Sequence, residues 1–220
     1  MYIKRIEKKF KQSLRNVAVN FIFNHFLAIF AKNKNEQTMK DLSLHVMDIL
    51  QNSTRAGATK IELAIVENTI EDTYTLRFID NGSGMDEETV QKVIDPFFTT
   101  RTVRKVGLGL PLIKQNAERT GGSFQIQSQL GKGTTVNVIF SHKNIDRPTL
   151  GDIAGTIVLT ASAYPNIHFI YTHQKDEKEY IFDTDEINEA LDGISIQDPE
   201  IITYLREMIV ENLKELGVSF

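Results

Sequence analysis

Asp80-Asn81-Gly82-Ser83-Gly84-Met85 follows an alternating apolar run, Thr73-Tyr74-Thr75-Leu76-Arg77-Phe78-Ile79. A carboxylate thus stands at the end of a strand that two glycines then break. Glycine tolerates positive φ and lets a ligand approach the backbone closely. A carboxylate there can accept a hydrogen bond from an exocyclic amine, which is how a protein reads adenine. Asp/Gly-rich strand-to-loop turns are also common without any ligand. The reading therefore depends on what stands at compatible positions on either side.

Upstream, Leu42, Leu44, Val46, Met47, Ile49 and Leu50 predict a helix ending near Gly57. Asp48 and Asn52, four apart, share one of its faces, with His45 and Arg55 close to it. An Asn carbonyl oxygen suits Mg²⁺, a hard cation that keeps waters beside phosphates. Asp48 could orient or deprotonate a water or hydroxyl near a terminal phosphate. Exposed polar residues on an amphipathic helix would look the same.

Downstream, Pro96-Phe97-Phe98-Thr99-Thr100-Arg101 continues into Thr102-Val103-Arg104-Lys105-Val106. The aromatic pair can anchor a mobile segment whose cations close over a triphosphate. An ordinary surface loop pinned by two phenylalanines is the plainer alternative. Gly107-Leu108-Gly109-Leu110 then opens a helix, where exposed N–H groups and the helix dipole favour anions. Gly133-Thr134-Thr135 enters the last strand of the series, and the Thr134 hydroxyl can complete an adenine contact through water.

The Asp/Asn helix, DxGxG, PFFTTR, GLGL and GxGTT follow one order over about 90 residues. That order resembles the ATP-binding domain shared by DNA gyrase, the large heat-shock chaperones, sensor histidine kinases and the mismatch-repair protein MutL, over roughly residues 40–140. The resemblance implies an α+β fold: a Bergerat-type two-layer α/β sandwich, a mixed sheet with helices on one face, binding ATP with Mg²⁺. By motif it makes Asn52 the metal ligand and Asp80 the reader of the adenine amine. Gly82 and Gly84 shape the purine pocket, with Met85 beside them, and Thr134 supports adenine. Phe97, Phe98, Thr99, Thr100, Arg101 and Lys105 belong to the lid, and Gly107, Leu108, Gly109 and Leu110 to the phosphate contacts. The whole of 39–220 looks like a group of stand-alone histidine-kinase-like or anti-sigma-like ATP-binding proteins of anaerobic bacteria.

The PFFTTR and GLGL forms look most like sensor histidine kinases. Those carry Asn four residues before the metal-binding Asn, whereas Asp48 there resembles the general base of anti-sigma-factor serine kinases and MutL-like ATPases. Asn52-Ser53-Thr54-Arg55-Ala56-Gly57-Ala58-Thr59 is also similar to the MutL stretch N-S-L-D-A-G-A-T, with Arg55 replacing its Asp. A phosphoacceptor helix would show His-Glu/Asp with a nearby Pro; neither His25 nor His45 has that Pro. The expectation is a cytoplasmic Mg-ATP-binding signalling protein that passes the γ-phosphate to a partner protein in trans, with Asp48 as the catalytic base. The alternatives are an ATP-hydrolysing conformational switch and a nucleotide sensor without turnover.

The 220 residues are 41% hydrophobic and 25% charged, enough for a core. A net charge of −4 argues against a general nucleic-acid binder. With no Cys there are no disulfides or thiolate metal sites. Residues 1–38 form a basic and apolar appendage of net charge +6, leaving −10 for the remainder. Its apolar run Val17–Ala31 is shorter than the roughly 20 residues of a spanning helix. It reads as a helix packing on the body or on a second copy, as a membrane-surface anchor, or as sequence upstream of a start at Met39. Residues 39–144 hold the ATP-binding motifs, and 145–220 form a C-terminal α/β extension expected to recognise the partner. From residue 184 onward nine acids face two bases, which suits a solvated helical face or a dock for a basic protein. A homodimer is compatible with the sequence.

Overall fold

Asp41 opens the first described element. Its carboxylate accepts from Leu44 N at 3.1 Å and so caps helix α1, Leu42–Arg55. Gly57, at φ +73°, lets the chain turn out of the helix. This computed structural model describes residues 41–95 and 109–220. The expected appendage 1–38 and the loop with Phe97, Phe98, Thr99, Thr100, Arg101, Lys105, Gly107 and Leu108 lie outside the described residues.

Two alternating runs follow as strands β1 (Lys60–Asn68) and β2 (Thr73–Asp80). Next come helix α2 (Glu87–Val93), helix α3 (Gly109–Arg119), and strands β3 (Ser123–Gln129) and β4 (Gly133–Ser141). Helix α4 (Ile153–Ala163), strands β5 (His168–Lys175) and β6 (Lys178–Asp183), and helices α5 (Thr184–Ala190) and α6 (Pro199–Glu215) complete the chain. The six strands make one mixed sheet in the order β3-β4-β2-β1-β5-β6. β1 and β5 run parallel, and every other pair is antiparallel.

Period-two alternation puts Ile61, Leu63 and Ile65 on one face beside Leu76, Phe78, Val136, Val138, Phe169 and Tyr171, all buried. The helices cover that face. α1 packs on α3 and α4, and α4 on α6. α4 buries nine of its residues, as a helix apolar on nearly all sides should. Residues 145–220 are therefore not merely appended: β5 extends the sheet at β1, and α4 and α6 bury Ile157, Leu205, Ile209 and Leu213 in the same core. Residues 39–220 form one compact unit.

The polar stretch Glu67–Asp72 reads in the sequence as the turn between the two strands, but β1 runs through Glu67 to Asn68 and Glu67 is 4% exposed. Its carboxylate takes bonds from His173 Nε2 at 2.9 Å and His142 Nε2 at 3.1 Å. Burial pushes the carboxyl up, yet those two histidines and Lys175 together hold it below its ordinary value. A buried charge is tolerated because it is paired.

Candidate nucleotide site

The site is assembled at the end of the sheet where β2 finishes. Asp80 lies next to Ile61 of β1 and Thr134 of β4. Ser53 Oγ of α1 donates to Asp80 Oδ2 at 2.8 Å, and Gly82 N donates to Oδ1 at 2.9 Å. Each oxygen is thereby aimed while keeping a lone pair for a further donor. Asn81 points away and staples the start of β1: its Oδ1 accepts from Thr59 N and Lys60 N, both at 2.9 Å.

The glycines are required by close approach. A Cβ on Gly84, which sits at φ +63°, would stand 1.9 Å from Gln129 O. One on Gly133, at φ +100°, would stand 1.9 Å from Asp80 O. The β3–β4 turn therefore lies flush on the DxGxG segment. Ser128 Oγ ties the two together, accepting from Met85 N at 2.8 Å and lying 2.9 Å from Thr134 Oγ1.

α1 supplies the other wall. Nine of its fourteen residues are buried; of the other five, Leu44, Asp48 and Asn52 recur every fourth position along one stripe with Arg55 beside it, and Asn52 and Arg55 are exposed. An exposed polar face would be wider than this on a surface helix. The stripe meets α3 at its first residue: a Cβ on Gly109 would lie 2.9 Å from Asp48 Cβ and 3.2 Å from Asp48 Oδ2. Gly109 and Leu110 are both buried there. So the Asp48 carboxylate sits beside the helix N-terminus where N–H groups and dipole favour anions. Asn52 and Asp48 offer hard oxygen donors one turn apart, a set that suits Mg²⁺.

His45 does not share the open stripe. It is fully buried, and its Nε2 lies 3.1 Å from Asn116 Nδ2 of α3. Burial lowers its pKa to about 4, opposed by the Gly109 backbone and by Asp41. The ring is neutral at physiological pH; Asn116 bonds its Nε2, and the Gly109 backbone is its further polar neighbour.

A shallow depression of about 310 Å³ also touches Asp80, Gly133 and Thr134. Ile79, Gln127 and Thr135 line it too, and no residue of α1 or α3 does. Ile79 and Thr135 alternate with the buried Phe78 and Val136, so it opens on the other face of the sheet, away from Asp48 and Asn52.

Residues 38–144 match the model of the family described as histidine kinase-, DNA gyrase B-, and HSP90-like ATPase. The match spans just under half of the chain and makes this segment similar to the ATPase domains of that family. A sensor protein of Shewanella frigidimarina (strain NCIMB 400) is 35% identical to the chain over 98 residues, 44% of this chain and 15% of that protein. Sensor protein SrrB of Staphylococcus aureus is 30% identical over 140 residues, 60% of this chain and 23% of the relative. The chain thus matches less than a quarter of the length of these sensor proteins. Among solved structures, the Aquifex aeolicus MutL ATPase domain complexed with ADP aligns with a TM-score of 0.48 and 19% identity, covering 70% of each chain.

The structure brings Asp80, Gly82, Gly84, Met85 and Thr134 together where β2 ends and the β3–β4 turn lies on it, and sets Asp48 against Gly109; Asn52 stands one turn beyond Asp48 on α1, and Leu110 follows Gly109 on α3. The residues that sequence reasoning missed are Ser53, Ser128 and Asn116. Ser53 is next to Asn52 in a quoted motif, so its place was available. Ser128 lies in a Gln/Ser-rich edge strand whose composition carries no site signal. No helix among the described residues is long and apolar enough to cross a membrane.

Proposed function

We propose that this chain is a Mg-ATP-dependent protein kinase that passes the γ-phosphate to a hydroxyl or imidazole on a partner protein. The observation that carries this reading is the Asp48 carboxylate beside Gly109, at the anion-favouring end of α3. Asp80, aimed by Ser53 and Gly82, takes the adenine amine; the N–H groups opening α3 take phosphate oxygens. Asn52 would hold Mg²⁺, whose charge would offset that of the phosphates. Asp48 would accept the proton of the attacking group as its bond to the γ-phosphorus forms and the bond to the departing ADP oxygen breaks.

The contacts of the described histidines support an acceptor on a partner. His45 is fully buried, His173 is buried on Glu67, His142 bonds Glu67, and His168 lies 3.0 Å from Asp183. The acidic surface from residue 184 onward supports a basic partner. The same carboxylate can activate water instead, giving a hydrolytic switch; its resemblance to the MutL base supports that second reading. ATP labelled on its γ-phosphate, incubated with the protein and cell extract, separates the two. Label on a partner, lost in Asp48→Asn while ATP binding persists, is expected. Free phosphate alone supports the switch, and full transfer by Asp48→Asn rejects the base.

A further inference from the structure

The buried His45 has no role in the mechanism above, yet it connects the two elements that make the phosphate end. It stands one turn before Asp48 on α1. Its Nε2 is held by Asn116 of α3 at 3.1 Å, and the Gly109 backbone lies beside the ring. Burying an imidazole completely costs desolvation that an apolar side chain at the same place would not, so packing alone does not account for it.

We infer that the His45–Asn116 pair is a positioning latch, which fixes the first turn of α3 against Asp48 and so sets the grip on the nucleotide's phosphates. Asn116 is seven residues beyond Gly109 on the same helix. A bond there fixes the rotation of α3 about its axis and its slide along α1, and with them the direction of the N–H groups that open it. The adenine end is held independently, by Ser53, Gly82 and Ser128. The latch should therefore act on phosphate recognition and spare the base.

The inference rests on reading the α3 N-terminus as a phosphate contact, and the test separates the two. Affinities for ATP and for adenosine are measured by calorimetry on the full chain. The wild type should prefer ATP; equal affinities would remove the phosphate reading itself. His45→Phe and Asn116→Leu should each weaken ATP by about tenfold, one lost hydrogen bond's worth, with adenosine affinity held. His45→Gln places an amide where Nε2 stood and should recover most of the loss, whereas His45→Asn, whose amide reaches only the Nδ1 position, should not. Parallel loss of ATP and adenosine, an unchanged ATP-to-adenosine ratio in either variant, or His45→Gln behaving like His45→Phe would overturn the latch.

Discussion

At the scale of single residues, two carboxylates and one imidazole divide the work. Asp80 is aimed by a hydroxyl and a backbone amide that both donate to it. Asp80→Asn keeps the shape but presents an amide nitrogen or a neutral oxygen to the adenine amine and to Ser53. ATP affinity should fall at least tenfold, since hydrogen bonds to a charged group are worth about 1.5–3 kcal/mol; unchanged affinity by calorimetry would remove Asp80 from the site. His45 makes a prediction in pH. Its pKa is about 4 in the folded chain against 6.5 when free. The unfolded chain therefore binds more protons between these values, and stability falls as pH drops from about 6.5 toward 4. Denaturant midpoints across that range should show the decline, and His45→Gln should flatten it. Glu67, whose folded carboxyl is depressed, adds stability above its ordinary value that is lost only below about 4.5. Its window thus lies largely beneath that of His45.

At the scale of elements, the β3–β4 turn lying on the DxGxG segment is what gives the site a floor. Gly131 and Gly133 share that turn and both have positive φ, but nothing lies within 4 Å of a Cβ on Gly131, while one on Gly133 meets Asp80 O at 1.9 Å. Gly131→Ala should cost only backbone strain, about 1 kcal/mol. Gly133→Ala must also displace the strand backbone and should cost several-fold more, about 3 kcal/mol or beyond. Equal losses in urea denaturation would mean that the close approach is not what requires glycine. Most elements were legible in the chain because period-two and helical spacing of apolar residues report burial directly, as in Ile61-Leu63-Ile65 and Leu205-Ile209-Leu213. Strand ends were less so. Glu67 reads as a turn residue because its charge outweighs the pattern, and its partners His142 and His173 are 75 and 106 residues away. Asp80, Gly82 and Gly84 were legible as candidates because they share one short motif. Ser128 was not, since its role arises only when β4 pairs with β3, and Asn116 was not, since only helix packing brings it to His45.

At the scale of the molecule, the family match ends at residue 144, but the physical unit does not. β1 stands inside the sheet only because β5 pairs with it, in a register running from Lys60–His168 to Glu67–Lys175. No local pattern announces that parallel pairing, which joins segments about a hundred residues apart through a long crossover. Leu42 N and Ser43 N also bond Thr149 O and Leu150 O, at 2.8 and 3.0 Å, so the start of α1 is anchored from beyond the match. Removing 145–220 would strip α4 from α1, bare the edge of β1, and take Ile157, Phe169, Tyr171 and Ile209 out of the core. Truncating one such side chain costs about 2–5 kcal/mol, and a typical domain is held by about 5–15 kcal/mol. A 39–144 fragment should therefore fail to fold cooperatively, whereas 39–220 should melt in one transition with coincident far-ultraviolet and tyrosine signals. A 39–144 fragment that melts cooperatively and binds ATP like the full chain would show that the C-terminal strands serve recognition alone. The expected failure means instead that β5 and α4 are structural parts of the unit. Through β1 and α1, that region is then coupled to Asp48 and Asp80.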